Sequence, residues 1–273
     1  VADRLVFRRI RQRLGGRVRM IISGGAPLLP NIQQFFTVVG LTVVEGYGLT
    51  ETAAAITCND PQAIRPGTVG KPLNGTEIRI ADDGEILVRG PSVFAGYYRN
   101  EEETRQAFRD GWFLTGDLGE LDAEGCLKIT GRKKDIIVTA AGKNVAPQRI
   151  ENLFADEKLI SKVVVYGDRH SYLTALITLK ADELLAFGQA NALGVSSVAE
   201  LARHPLVRAE VERAVRARNK QLAGYEQIKR FHILEDDFTI EAGELTPTFK
   251  VKRQALAEKY KGLIEQLYLK SPA

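Results

Sequence analysis

The stretch Trp112–Ile137, WFLTGDLGELDAEGCLKITGRKKDII, decides the reading of this chain. At its centre, Asp122-Ala123-Glu124-Gly125 has Asp at the first and Gly at the fourth position, as a type I turn prefers. Leu127-Lys128-Ile129 alternates apolar and polar residues, the pattern of a half-buried strand. A hairpin here carries Thr115-Gly116-Asp117 and Gly131-Arg132-Lys133-Lys134-Asp135 towards the same region. An ionised Asp117 offers acceptors only, which suits two neighbouring hydroxyls, and Arg132 offers a fork of donors. Together they suit a ribose with a phosphate nearby.

Working outward, the segments around this hairpin predict an α/β chain. Val18–Ile22 reads as a buried strand ending in Ser23-Gly24-Gly25, Pro30–Val39 as a helix, and Leu41–Val44 as a second buried strand running into Glu45-Gly46-Tyr47-Gly48-Leu49-Thr50-Glu51. Strand, helix, strand at this spacing implies a parallel unit, whose ligands sit at the carboxyl ends of the strands. Glu77–Ala81 and Glu85–Val88 flank Asp82-Asp83-Gly84 as a second hairpin, so a small antiparallel subdomain is expected over about 65–131. A third texture follows Arg132. Strands are expected at Ile136–Val138, Lys162–Tyr166, Thr174–Leu179 and Ile228–Leu234. Helices are expected from Pro147, at Asp182–Leu193, at Pro205–Ala223 and near Gln254–Leu267. Within Pro205–Ala223, Leu206, Val207, Val211, Val215 and Leu222 form a stripe, with Glu212 and Arg216 spaced to pair. The expected domains are 1–131, the end of a large α/β domain, and 132–273, a smaller α+β lid, joined by a compact hinge.

With 44% hydrophobic and 26% charged residues, the 273-residue chain reads as globular. Its net charge of +4 fits an anionic ligand. Arg4, Arg8, Arg9, Arg11, Arg13, Arg17 and Arg19 cluster early, but no nucleic-acid reading motif or aromatic platform accompanies them. Leu5, Val6, Ile10 and Leu14 form an apolar stripe, so the arginines read as the solvated face of a helix and no nucleic-acid partner is expected. Cys58 and Cys126 have neither metal nor disulfide spacing, and a reducing, cytoplasmic setting is the default. No run of about 18 apolar residues occurs, so no membrane span is expected. Peripheral contact with a membrane, and the oligomeric state, stay open. His170, His204 and His232 are scattered and read as surface or core residues.

The opening stretch resembles the ribose-binding and hinge motifs of the adenylate-forming enzymes, which include acyl-CoA synthetases, luciferases and peptide-synthetase adenylation domains. Glu45–Glu51, EGYGLTE, resembles that family's Tyr-Gly-Leu-Thr-Glu core. The resemblance implies Tyr47 against a purine, Gly48 for close backbone approach, Thr50 on a phosphate oxygen and Glu51 as a Mg²⁺ ligand. Ser23–Leu28, SGGAPL, resembles the loop between adenine and the acyl chain, which brings in Gly24, Gly25 and Ala26. Gly84–Asn100, GEILVRGPSVFAGYYRN, resembles a mainly structural motif, with Tyr97 and Tyr98 read as packing. Asp117 and Arg132 take the ribose, and Lys134 is the hinge. AAGKNVAPQRIE, from Ala140 to Glu151, resembles the loop that enters the site for thioester formation, where Gly142 leaves room for the pantetheine arm of CoA. Glu244–Arg253, ELTPTFKVKR, resembles the loop bearing the catalytic lysine. Lys250 is the choice, with Lys252 as the alternative, because Phe249 stands where many members have Gly.

The ELTPT context, together with the helix running into Gly224-Tyr225-Glu226-Gln227-Ile228, is similar to the long-chain fatty-acyl-CoA synthetase branch. That implies ATP-dependent activation of a fatty acid to acyl-adenylate, then transfer to CoA, with ATP/AMP, Mg²⁺ and CoA as cofactors and substrates. A ligase for an aryl or amino acid, and a non-catalytic nucleotide-binding fragment, are the alternatives. The family's Ser/Thr/Gly-rich loop ending in Lys-Gly is not found, and the chain starts at Val1 inside a helical pattern. A C-terminal fragment, inactive by itself, is therefore expected.

Overall fold

Short apolar runs rich in β-branched residues become strands here, and runs of helical period become helices, in a computed structural model that describes residues 3–28, 30–195 and 197–269. The side chains of Arg4, Leu5 and Pro30 lie outside that description, and with them the expectations placed on Arg4 and Leu5. The chain is a mixed α/β protein and divides into two units, Val1–Lys134 and Asp135–Ala273.

The first unit runs α1 (Arg8–Arg13), β1 (Met20–Ser23), α2 (Pro30–Val39), β2 (Thr42–Leu49), β3 (Ala54–Cys58), β4 (Lys71–Pro72), β5 (Glu77–Ile80), β6 (Glu85–Arg89), α3 (Glu101–Ala107), β7 (Phe108–Arg109), β8 (Trp112–Leu121) and β9 (Leu127–Arg132). Strands β1 to β4 form one sheet in sequence order, with β1 parallel to β2 and the later pairs antiparallel. The rest form an antiparallel sheet in the order β5-β6-β8-β7, with β9 on β8. Tyr47, Ile56, Ile86, Val88 and Leu127 come from both sheets to make the core of this unit.

The second unit runs β10 (Ile137–Val138), β11 (Asn144–Val145), α4 (Pro147–Asn152), β12 (Ile160–Tyr166), β13 (Leu173–Leu179), α5 (Ala181–Ala190), α6 (Val198–Arg203), α7 (Pro205–Asn219), β14 (Ile228–Ile233), α8 (Arg253–Lys259) and α9 (Lys261–Leu269). The sheet β12-β13-β14 has β13 at its centre, buried at every position, as a strand covered on both faces must be. Val163, Val165, Ala175 and Ile177 point into the core shared with α5, α6 and α7. Val164 and Leu176 alternate to the other face, against Leu245 and Leu256.

Several sequence expectations change in the structure. The run Val18–Ile22 reads as a buried strand, yet Val18 is 40%, Met20 43% and Ile22 63% exposed: these alternate residues share one face, which the described residues leave largely uncovered. In the stripe near the start of the chain, Val6 and Leu14 are exposed. Strand β2 continues to Leu49, so Glu45–Leu49 is strand rather than loop. Leu206 is half exposed, and Glu212 pairs with Arg208 at 3.1 Å rather than with Arg216. Helix α7 stops at Asn219, whose side-chain amide both accepts from Ile228 N and donates to Ile228 O. The closing helix is two helices, interrupted at Tyr260. Helices α3 and α6 were not expected, although Asn100 caps α3 by accepting from Glu103 N at 3.2 Å. No helix among the described residues is long and apolar enough to cross a membrane.

Candidate functional site

The hairpin does what its turn chemistry implies. Asp122 Oδ1 accepts from Glu124 N at 3.0 Å and Cys126 N at 2.8 Å, and Gly125 N donates to Asp122 O at 3.0 Å. This register makes Asp117 and Arg132 direct cross-strand partners. Arg132 Nε donates to Asp117 Oδ1 at 2.8 Å. A third residue, Tyr47 on β2, donates its hydroxyl to Asp117 Oδ2, also at 2.8 Å. Tyr47 and Asp117 are each 7% exposed. Burial first, and then the Asp117 charge, push the Tyr47 phenol far above its ordinary value, so it remains a donor across the whole working pH range. Each Asp117 oxygen thus accepts from at least one protein donor, and an ionised carboxylate has about four acceptor sites in all.

Residues to which the sequence assigns no role of their own hold this carboxylate in place. Thr115 Oγ1 donates to Ile86 O at 2.8 Å and accepts from Asp117 N at 3.1 Å. Gly116 turns at φ +70°, and its N–H donates to Glu85 Oε1 at 2.9 Å. Glu85 is buried and pairs with Lys133 Nζ at 2.8 Å, which also binds Asp83 at 2.7 Å. The bond from Asp83, then that from Glu85, hold the Lys133 ammonium above its ordinary value. The sequence signal for this support is a Glu heading the apolar run Ile86-Leu87-Val88.

The glycines of β2 have a reason within the fold besides the one the sequence suggests. A Cβ on Gly48 would lie 1.8 Å from Ala54 O, and one on Gly46 3.1 Å from Thr57 O. The close approach is to the chain's own strand β3. Beyond β2, Thr50 is exposed and Glu51 half-buried in a 3-10 turn organised by Thr52, whose hydroxyl accepts from Leu49 N at 2.9 Å and has Leu49 O at 3.0 Å and Ala54 O at 2.9 Å in reach of its one hydrogen. Glu51 Oε1 accepts from Tyr97 OH at 3.1 Å, and Glu51 O from Phe94 N at 2.8 Å. Tyr97 therefore does more than pack. Among the described residues there is no group of three or more His, Cys, Asp or Glu poised for a metal. One carboxylate with a free oxygen fits Mg²⁺ that is carried mainly by phosphates.

The Gly24–Ala26 loop is exposed, with Gly25 at φ +81°, and is tied to β2 where Leu28 N donates to Glu45 Oε1 at 3.0 Å. Burial pushes the Glu45 carboxyl up, with the Leu28 amide opposing it. Both loops lie after parallel strands β1 and β2, where ligands of open α/β sheets collect.

The sequence matches two family profiles. One, described as AMP-binding enzyme, covers residues 3–98, and the other, the AMP-binding enzyme C-terminal domain, covers residues 134–272. The chain belongs to the AMP-binding enzyme family. It is 49% identical over 271 residues to the long-chain-fatty-acid–CoA ligase FadD15 of Mycobacterium tuberculosis, covering 99% of this chain and 45% of that protein. It is 37% identical to the human long-chain-fatty-acid–CoA ligase 6, covering 97% and 40%. Among solved structures it resembles the adenylation domain of a carboxylate reductase from Mycobacterium chelonae, with TM-score 0.75 and 25% identity over 98% of this chain and 41% of that one. It also resembles o-succinylbenzoate coenzyme A synthetase from Bacillus subtilis, solved with ATP and magnesium, with TM-score 0.65 and 26% identity over 90% and 49%. The chain spans less than half the length of these relatives.

In the second unit of this AMP-binding enzyme, Gly142 sits at φ +71° between β10 and β11, with open space where a Cβ would be. Lys250 is exposed at the end of a tight turn, where its N–H donates to Thr246 Oγ1 at 3.0 Å and its O accepts from Thr246 N at 2.8 Å. Phe249, just before it, adopts φ +59°, the left-handed conformation that glycine favours. The backbone of this loop thus keeps the glycine shape without the glycine. Lys252, the alternative, is also exposed, and its N–H donates to Glu244 O at 2.8 Å at the start of α8. Lys134 is exposed at the division between the units.

Proposed function

We propose that this chain is the nucleotide-binding and lid portion of a ligase that activates a long-chain fatty acid with ATP and transfers it to CoA. The observation that carries the reading is the Asp117 carboxylate held between Tyr47 and Arg132, in a chain 49% identical to a long-chain-fatty-acid–CoA ligase. Asp117 accepts the ribose hydroxyls, and Arg132 orients it while adding positive charge beside the nucleotide. The ring of Tyr47 flanks adenine, with Gly24, Gly25 and Ala26 lining the approach, and Thr50 bonds a phosphate oxygen. Glu51 would hold Mg²⁺, which when bound neutralises charge on the triphosphate.

In the first half-reaction the fatty-acid carboxylate attacks the α-phosphorus and pyrophosphate leaves. The Lys250 ammonium stabilises the charge that builds on the α-phosphate. In the second, the thiolate of CoA attacks the acyl carbon and AMP leaves, with Gly142 giving room to the pantetheine arm. Lys134 is the pivot between the two arrangements. Turnover by the 273 residues alone is not expected. The setting proposed is the cytoplasm, where the +4 charge also suits contact with an anionic membrane surface.

The test is nucleotide binding. Asp117→Asn keeps the shape and removes the charge that receives Arg132 and the ribose, so AMP affinity by calorimetry should fall at least about tenfold. Unchanged affinity, with the fold intact by circular dichroism, would remove Asp117 from the site.

A further inference from the structure

The loop between β10 and β11, which carries Gly142, is not held by its own strands alone. Those strands have two residues each, and a two-residue ladder is a weak support. The loop adds bonds of its own, from Thr139 N to Lys143 O at 3.0 Å, Gly142 N to Thr139 O at 2.8 Å and Lys143 N to Thr139 Oγ1 at 3.1 Å, and the turn after β12 holds its first arm from outside. Val138 N donates to Asp168 Oδ1 at 3.0 Å, Arg169 N to Val138 O at 2.8 Å, and Ala140 N to His170 O at 2.9 Å. Three successive residues of one turn therefore grip the first arm of the loop. Arg169 adopts φ +59° to allow it, a conformation that a non-glycine residue keeps only when its surroundings hold it.

The last helix provides that hold. The Tyr268 ring lies flat on the exposed His170 ring, with centroids 3.5 Å apart and planes 7° from parallel. Its hydroxyl accepts from Thr174 Oγ1 at 2.9 Å and donates to Tyr166 O at 3.2 Å, which pins the ring between β12 and β13. Tyr172 OH donates to Leu267 O at 3.0 Å from the other side. The contact joins residues nearly a hundred positions apart in the sequence and leads to a loop, not to the core.

We propose that Tyr268 is a positioning residue for the 139–143 loop: stacked on His170, it fixes the turn that grips the loop, and it thereby supports the CoA half of the reaction without serving adenylation. This rests on the reading of Gly142 as the CoA-side loop.

The experiment has two readouts, one on this chain and one on the longer ligase. In this chain, Tyr268→Leu is expected to speed amide exchange at Val138 and Ala140 about three- to tenfold, the worth of one aromatic pair. Tyr268→Phe, which keeps the ring and loses the hydroxyl's two bonds, should speed exchange less than Tyr268→Leu does. In the ligase, Tyr268→Leu should raise KM for CoA by about the same three- to tenfold and leave ATP–pyrophosphate exchange unchanged. A merely structural lesion would lower both half-reactions together, and that result overturns the proposal. Gly142→Leu checks the reading beneath it: if CoA transfer survives that change, the loop is not the CoA loop. If Gly142→Leu blocks transfer while Tyr268→Leu moves neither exchange nor KM, the role of Tyr268 alone is overturned. Should Tyr268→Leu fail to fold, His170→Ala removes the other ring from an exposed turn, and the same two outcomes decide.

Discussion

Gly48 and Asp117 teach opposite lessons at the residue scale. Asp117 was legible because its partner Arg132 is fixed by a four-residue turn in plain view of the sequence. Its other partner, Tyr47, lies 70 positions away on a different sheet, and no local rule connects them. Gly48 was legible as a position needing glycine, and the structure adds a reason the sequence did not show, since its own β3 fills the space a Cβ would take. Gly48→Ala is expected to destabilise the first unit by at least about 2 kcal/mol, because strand backbone rather than a pliant side chain must move. Thermal unfolding would report this as a loss of roughly 5–10 °C. A variant that melts with wild type would show that β3 yields without cost.

The loop running into α8 has an electrostatic anchor that matters at the element scale. Glu244 is 3% exposed and takes bonds from Lys259 Nζ and Tyr260 OH at 2.8 Å and from Thr239 N at 2.9 Å. Burial pushes its carboxyl up, yet Lys259, the Thr239 amide and Tyr260 together outweigh that and hold it below its ordinary 4.5. A depressed carboxyl stabilises the fold above its unfolded value, and that contribution is lost as pH falls through the lower folded value. Glu244→Gln should therefore melt below wild type at pH 7, and the gap should close as the pH drops below 4.5. A gap that is constant with pH would mean that packing, not charge, anchors the loop. The same carboxylate takes Lys259 and Tyr260 at the point where α8 ends and α9 begins, a break that helical periodicity alone does not reveal.

Function belongs to the whole molecule, because the proposed cycle uses residues from both units. In a ligase of the relatives' length, Lys250→Ala is expected to lower ATP–pyrophosphate exchange by at least about a hundredfold, in line with loss of a group that meets charge developing in the transition state. Thioester formation from supplied acyl-adenylate should be spared. Running the wild-type assay with a long-chain fatty acid beside an aryl acid separates the proposed substrate from the nearest alternative. Unimpaired exchange in Lys250→Ala would turn attention to Lys252, two residues on and also exposed.

The sequence by itself determined the hairpin, the parallel β1–α2–β2 unit, the order of the motifs and hence the family, because turn chemistry and periodicity act between residues close in the chain. Only the tertiary structure decided that Tyr47 closes on Asp117, that Tyr97 reaches Glu51, that β1 stays half exposed and that Phe249 keeps a glycine conformation. Those outcomes depend on which distant surfaces meet and which faces stay uncovered, and a list of neighbours along the chain contains neither.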